Sequence, residues 1–363
     1  MSVLNVQLLF NDDTIIGWDI GGAHLKAVQI DRHGKVISAQ QVYCPLWLGL
    51  HELAQAFDYI LNTVKAKHHM ITMTGELADI FENRASGVQQ IAKLSSQKLG
   101  ENCLFYAGLK GFISADLVNE NTIAIASMNW LASVQYVASV EPQAIFVDIG
   151  STTTDIALIA DGVPMIKGFN DATRLQMDEL VYTGVVRTPL MAVAQKITFN
   201  QQLVNVAAEY FATTADVYTL TAELLLEENM ASTADGADKT VQASARRIAR
   251  MVGLDSADAP FKAWRDLAQA FRQAQLNQIK QAVIHQLSFL KNNHALKMVG
   301  CGAGEFLVAE LAQQLECAYQ AAPSLIMAEN AQLQKLASVC FPAFALAQLG
   351  LISFNNPQQA VSC

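Results

Sequence analysis

Charge is what this chain has least of. Asp, Glu, Lys and Arg make up 16% of its 363 residues, against about 25% in an ordinary domain. Basic residues are outnumbered by acidic ones, 24 to 33, and the formal net charge is −9. That balance argues against a nucleic-acid or anionic-membrane footprint. Sparse charge beside 52% apolar residues is also the reverse of what a disordered chain needs. Long hydrophobic runs are missing too. The most apolar stretch, Val339 to Phe354, is short for a membrane span and carries Pro342 and Gln348, so it reads as a buried helix. The opening MSVLNVQLLF has no basic n-region and runs at once into Asn11, Asp12 and Asp13, which argues against a secretory signal. The six cysteines (Cys44, Cys103, Cys301, Cys317, Cys340 and Cys363) form no CxxC pair and stand at no metal spacing with histidine. They read as isolated thiols in a reducing cytoplasm. His68 and His69 are adjacent, so on a strand they face opposite sides.

What is present is length and pattern. The chain is long enough for roughly two domains, and its mean hydropathy is +0.23. An anionic ligand would have to be held by local devices, not by the overall field. The first half alternates strand and helix signals. Thr14 to Trp18 reads as a strand ending in Asp19-Ile20-Gly21-Gly22, Lys26 to Asp31 as a second, and Val36 to Val42 as a third. Leu53 to Lys65 has helical spacing, Met70 to Thr74 is a strand ending at Gly75, and Asn121 to Val137 reads as a buried helix. Then the opening pattern returns. Ala144 to Val147 is a strand ending in Asp148-Ile149-Gly150; Ser151 to Thr154 make a polar turn; Asp155 to Ile159 resume a strand; Val163 to Ile166 follow an Asp161-Gly162 turn. Asp19 and Asp148 hold matching places 129 residues apart, so the spacing predicts a two-lobed chain with an internal repeat. Residues 197–293 read as mainly helical, with an amphipathic helix over Lys262 to Leu290. Lys297 to Val299 then lead into Gly300-Cys301-Gly302-Ala303-Gly304 and a helix from Glu305.

Three loops carry chemistry. In the first, Gly21 and Gly22 let the backbone turn tightly and bring N–H groups to a ligand. Asp19 could hold a hydrated Mg²⁺, and Lys26 could reach a phosphate as a point charge. A glycine hairpin with no ligand would look the same. In the second, Gly150 is followed by the hydroxyls of Ser151, Thr152, Thr153 and Thr154, flanked by Asp148 and Asp155. The third, with Gly300, Gly302 and Gly304 between a strand and a helix, is where a helix N-terminus can meet a phosphate or a nucleoside.

These loops, in this order, resemble the two phosphate loops and the adenosine loop of the acetate and sugar kinase/Hsp70/actin superfamily. The second, DIGSTTTDIALI, is similar to the hydantoinase/oxoprolinase branch. Thr72-Met73-Thr74-Gly75-Glu76-Leu77 with Phe81, Arg84 and Gly87-Val88 narrows the likeness, as do Glu179 through Pro189, Thr233-Ala234-Asp235-Gly236, Lys239-Thr240 and Ala243 through Met251. They resemble the tetrahydromethanopterin-linked C1-transfer pathway proteins, whose archaeal relatives are methanofuran-biosynthesis synthases. The likeness covers nearly the whole chain.

The resemblance implies an α/β, two-lobed, actin-like (ribonuclease H-like) duplicated fold with a cleft between the lobes. Residues 1–143 would form the first lobe, completed by a helix over about 331–352. Residues 144–330 would form the second, with the helical insertion 197–293. It implies an alkyl transfer in which an aminomethyl-furan-methyl diphosphate is joined to the phenol of a tyramine- or tyrosine-type acceptor and diphosphate leaves. Mg²⁺ on Asp19 and Asp148 would neutralise that leaving group. Glu76 is the first choice of base for the phenol, with Asp155 and Glu179 as alternatives. Lys239, Arg187, Arg246 and Arg250 are candidates to clamp diphosphate or a substrate carboxylate, or else they lie on solvated faces. Two other readings stay open: an ATP-dependent kinase or hydantoinase-type hydrolase using the same loops, and a non-catalytic nucleotide-binding scaffold. The expected partners are small molecules, with no nucleic acid and no membrane; a homo-oligomer is left open.

Overall fold

In the computed structural model the described residues are 14–100, 102–224, 229, 231–290 and 296–355. The readings made on MSVLNVQLLF and its acidic continuation, on Asn293 and on Cys363 lie outside them. The chain divides into two compact units, each described by itself: Met1–Pro142, Gly162–Pro164 and Ala322–Cys363 form one, Gln143–Asp161 and Met165–Ala321 the other.

The first unit is built on strands β1 (Ile15–Ile20), β2 (His24–Ile30), β3 (Val36–Tyr43), β4 (His68–Met73), β5 (Cys103–Tyr106) and β6 (Phe112–Ser114). Their order across the sheet is β3-β2-β1-β4-β5-β6, with β1 parallel to β4 and antiparallel to β2. Every residue of β1 is buried, as a central strand covered on both faces requires. Trp18 packs its ring against Phe57 of the helix Leu50–Leu61, centroids 5.0 Å apart. Gly17, on the opposite face, lies under the helix Phe341–Asn355.

The second unit repeats the plan. Strands β7 (Ala144–Ile149) and β8 (Thr154–Ala160) form its hairpin, and the chain then passes through the two-residue β9 (Val163–Pro164). β10 (Leu180–Val181) pairs with β8, and a separate hairpin joins β11 (Lys196–Phe199) and β12 (Gln202–Asn205). With β13 (Lys297–Cys301) and β14 (Ala318–Ala321) the main sheet runs β10-β8-β7-β13-β14. β7 is parallel to β13 and antiparallel to β8, as β1 is to β4 and β2. The Asp19–Lys26 and Ile20–Leu25 pairs of the first hairpin recur as Asp148–Asp155 and Ile149–Thr154 in the second. The repeat read in the sequence is thus a repeat of hydrogen-bond register.

Three expected elements differ. The Asn121–Val137 helix is two helices, Thr122–Ile125 and Asn129–Val140; Ser127, at φ 55°, breaks them. The C-terminal helix is also two, Ala331–Val339 and Phe341–Asn355, meeting at 97°. Pro342 explains it: a proline fits the first turn of a new helix but cannot continue an old one. The 197–293 stretch opens with the β11–β12 hairpin before its helices, of which Phe261–Leu287 is the longest. Of the predicted apolar stripe from Trp264 to Leu290, the residues from Trp264 to Val283 are buried in the second unit's core, and Leu287 and Leu290 pack partly buried against it. Among the described residues no single helix is long and apolar enough to cross a membrane.

Two outcomes follow for the first unit. A Cβ on Gly17 would stand 1.9 Å from the carbonyl oxygen of Ala343. Gly17→Ala should therefore cost about 1–3 kcal/mol by overpacking, and an unchanged melting temperature would contradict this packing. The second outcome concerns His69, whose Nδ1 accepts a hydrogen bond from the Trp18 indole at 3.1 Å. Burial, with His68 beside it, lowers its pKa from 6.5 to about 4. The neutral ring is what the fold accepts, so its stabilisation is complete above pH 6.5 and is lost as pH falls toward 4. By linkage the loss is about 3 kcal/mol. Chemical denaturation of wild type and His69→Gln should diverge across that window, and parallel pH curves would remove His69 as the cause.

Candidate functional site

Each unit presents an aspartate at the end of its central strand, followed by a glycine turn. In the first, Asp19 is 4% exposed. Its register partners are Lys26 on β2 and Thr72 on β4. Asn129, the first residue after the helix break, donates to its Oδ1 at 3.4 Å. Lys26 reaches the end of the helix Ala331–Val339, its Nζ donating to the carbonyl of Val339 at 3.2 Å. A cation there also complements the helix dipole, so Lys26 has a structural role beside Asp19. The turn is closed by the N–H of Gly21 donating to the carbonyl of His24 at 2.9 Å. That N–H is spent on the turn and not aimed at a ligand, a correction to the sequence reading. Gly22 has open space where a side chain would stand.

Glu76 lies beside this turn. Gly75 packs against the carbonyls of Ile20 and Gly21, and Thr74 donates its N–H to Ile20 at 2.9 Å. Glu76 is the middle residue of the one-turn helix Gly75–Leu77 and is 1% exposed. The hydroxyl of Ser127 donates to its Oε1 at 2.6 Å. Gly87 sits directly on its backbone, where a Cβ would come within 2.7 Å of the Glu76 carbonyl. Glu76 is therefore not a solvated helix-start acid.

In the second unit Gly150 repeats the turn closure, donating its N–H to Thr153 at 2.9 Å; it too is spent locally. Ser151, Thr152 and Thr153 are partly exposed. Thr154 is not available: it is fully buried and its hydroxyl donates to the carbonyl of Thr183 at 2.7 Å. The segment Thr183–Arg187 clamps this turn. Val185 donates to Gly150, and Val186 and Arg187 both donate to Ser151. Gly184 is pressed so close that a Cβ would meet Thr152 N at 2.5 Å. Arg187 thus leaves the turn as an exposed side chain. The third loop packs on the same place. Gly302, at φ 85°, leaves room for Asp148, and Gly304 donates its N–H to Ile149 at 2.8 Å. Gly300 is different: it lies inside β13 beneath Val308, so it serves packing and reaches no ligand.

The other acids and bases are engaged. Asp155 pairs with the buried Arg174 at 2.7 Å, and Arg174 also donates to the carbonyl of Glu179. The carboxylate of Glu179 accepts the N–H groups of Lys167 and Gly168. Both carboxylates are thus engaged by donors of the second unit itself. Arg246 and Arg250 lie on the exposed face of the helix Val241–Arg250, with Arg250 3.6 Å from Asp235. The arginine between them, Arg247, is the buried one; it binds Asp216 at 2.7 Å and Asp235 at 3.0 Å. Thr233-Ala234-Asp235-Gly236 is the turn that presents Asp235 to it. Lys239 donates to the carbonyl of Asn229, and burial lowers its pKa.

Sequence reasoning missed Asn129 and Ser127, because both lie at a break in what reads as one helix. It missed Arg174 and Arg247 because a buried partner is invisible before the fold.

Among the described residues no group of three or more His, Cys, Asp or Glu stands where it could hold a metal. Mg²⁺ asks for less, one or two carboxylates and several waters. The first unit fits that demand. Thr72 Oγ1 is buried on the strand beside Asp19 with no hydrogen-bond partner, and a bound water there would satisfy it.

The packing of the third loop is testable by itself. A Cβ on Gly302 would lie 2.3 Å from Asp148 Oδ1. Gly302→Ala should lose about 1–3 kcal/mol, whereas Gly22→Ala should leave the melting temperature unchanged. Equal melting temperatures for the two variants would refute the contrast.

The comparisons with known proteins agree with this architecture. A family model described as hydantoinase/oxoprolinase matches residues 68–338. A protein of Methanocaldococcus jannaschii is 33% identical over 244 residues, 66% of this chain and 72% of its own. It is named as the synthase of a furan-2-yl methanamine carrying a phenoxymethyl group, whose phenyl ring bears a 2-(gamma-L-glutamylamino)ethyl chain. A protein of the same name from Methanococcus vannielii is 36% identical over 117 residues, 32% of this chain and 52% of its own. Among solved structures, nucleotide-free acetone carboxylase overlays 92% of this chain and 70% of its own, with TM-score 0.50 at 13% identity. Component A of the Acidaminococcus fermentans (R)-2-hydroxyglutaryl-CoA dehydratase covers 97% of this chain and 100% of its own, with TM-score 0.47 at 11% identity. At 13% identity the likeness to acetone carboxylase speaks for the fold alone, a duplicated actin-like α/β fold. By the span of the family model, the chain belongs to the hydantoinase/oxoprolinase family.

Proposed function

We propose that this chain is a synthase in methanofuran or methylofuran assembly that forms an aryl furfuryl ether. It couples an aminomethyl-furan-methyl diphosphate to the phenol oxygen of a tyramine- or tyrosine-type acceptor. The relatives' name supports the product, a phenoxymethyl group on a furan. In the step, the phenolic oxygen bonds to the furylmethyl carbon. The bond from that carbon to diphosphate breaks, its electron pair leaves with diphosphate, and the phenolic proton passes to a base.

Each demand meets a residue. The furan ring stabilises positive charge on the methylene carbon, so the larger task is neutralising charge on the leaving group. In this reading the first unit, by itself, offers Asp19, Lys26 and the Gly21–His24 turn. The second, by itself, offers Asp148, the Ser151, Thr152 and Thr153 hydroxyls, and Arg187. Mg²⁺ held by Asp19, or by Asp148, would supply Lewis-acid neutralisation of the diphosphate. A phenol, with pKa about 10, gains from a nearby carboxylate, and Glu76 fills that role. The observation that carries the reading is the matched pair of Asp-bearing hairpins, a local device for phosphate groups in a chain of net charge −9.

The test is to incubate the protein with Mg²⁺, the furylmethyl diphosphate and candidate phenols, and to measure coupled mass and released diphosphate. Coupling should fall about a hundredfold in Asp19→Asn and Asp148→Asn, and by a similar factor in Glu76→Gln. Mg-ATP turnover with no coupled product would replace the reading with a kinase or hydrolase. Aspartate variants that weaken ligand binding but leave biological function intact would replace it with a scaffold.

A further inference from the structure

The proposed reaction joins two rings, and the residues above hold neither. Three aromatic side chains stand in a row beside the first glycine turn. His24 and Tyr43 are directly opposed in the β2–β3 register, with ring centroids 6.0 Å apart and edge-on. Tyr43 meets Trp47 edge-on at 6.4 Å. Trp47 lies on the one-turn helix Leu46–Leu48, and that helix is tied to the glycine turn. Leu46 donates its N–H to the carbonyl of Gly22 at 3.0 Å, and Cys44 donates to Ala23 at 2.8 Å. The Leu46 side chain lies against Gly75, the neighbour of Glu76. The row is therefore fixed to both the proposed anion-binding turn and the proposed base.

Its tryptophan is the exposed one of the chain's four. Trp18, Trp130 and Trp264 are 4% exposed or less, while Trp47 is 40% and Tyr43 41% exposed. Leu77, next to Glu76, is 43% exposed. Flat, rigid rings left half-open beside a polar turn offer edge and face to another aromatic ring.

We infer that Tyr43 and Trp47 form a stacking platform for the phenolic acceptor, setting its oxygen toward Glu76. The acceptor's identity rests on the synthase reading; the platform itself rests on the geometry.

Trp47 makes a readout that needs no catalysis, since it is the half-exposed member of the chain's four tryptophans. Tyramine and its gamma-glutamyl amide, titrated into the whole protein with selective tryptophan excitation, should quench and blue-shift the emission. Trp47→Phe should abolish that response. In the coupling assay, Tyr43→Ala and Trp47→Ala should raise KM for the phenol about tenfold, with KM for the diphosphate unchanged. Trp47→Phe, which keeps a flat ring, should recover most of the loss. Unchanged phenol KM in active variants would overturn the platform. So would an effect confined to the diphosphate KM, which would assign the row to the furan. An association between copies that Trp47→Ala abolishes, with phenol KM unaltered, would assign it to self-association instead. If the wild type yields no coupled product the synthase reading falls, and the fluorescence titration still judges the platform.

Discussion

A carboxylate taken out of water must meet a donor or a cation, or it costs several kcal/mol. This chain has few charges, yet it buries Asp19, Glu76, Glu179 and Asp216 to 4% exposure or less. Each burial dictates local structure. Glu179 is met by two backbone N–H groups and Asp216 by Arg247, Ser244 and the N–H of Thr213. Those two are fully employed in holding the second unit together. Asp19 takes a contact from Asn129 and Glu76 a hydroxyl from Ser127, both supplied by the break between two helices. With so few charges available, the fold meets its buried acids with neutral donors as well as cations.

Much of the fold was legible in the sequence, because the devices that set it are local. Strand, Asp-Ile-Gly, turn, strand is a pattern of neighbours. Its return at Asp148 predicted the duplication, while the register across each hairpin, Asp19 with Lys26 and Asp148 with Asp155, is seen only in the fold. The site was legible only in outline. Thr154 shares its chemistry with Thr152 and Thr153, but the alternation of a strand turns its hydroxyl inward to Thr183. Gly300 belongs to the same glycine run as Gly302, yet one lies within a strand and the other in the loop. Arg247 and its neighbours Arg246 and Arg250 are alike in type, and helix phase alone buries the first and exposes the others. Residue type is written in the sequence; which way a side chain faces is decided by packing.

The break at Ser127 shows the same limit from the other side. Asn121 to Val137 is apolar enough to be one helix, and periodicity offers no reason to interrupt it. The interruption delivers Ser127 to Glu76 and Asn129 to Asp19. A non-glycine residue at positive φ carries a strain cost of order 1 kcal/mol, which the two contacts help to offset. Sequence-based reasoning fails here because the gain is tertiary.

Duplication also explains why the two units are chemically unequal. In the first unit the strand parallel to the central one leads into Thr74-Gly75-Glu76; in the second it leads into Gly302-Ala303-Gly304. Both segments back onto the carbonyl that ends the central strand, through Thr74 in one case and Gly304 in the other. The position that makes this hydrogen bond is a threonine in one copy and a glycine in the other. The partner position across the hairpin is unequal as well, Lys26 against Asp155, and Asp155 is taken up by Arg174. A repeat that kept its backbone has thus lost its side-chain symmetry. The second unit retains a turn rich in hydroxyls. The first gathers the buried Glu76, Lys26 and the half-exposed rings of Tyr43 and Trp47 around one glycine turn, so the chemistry of each unit is set by its side chains and not by the backbone they share.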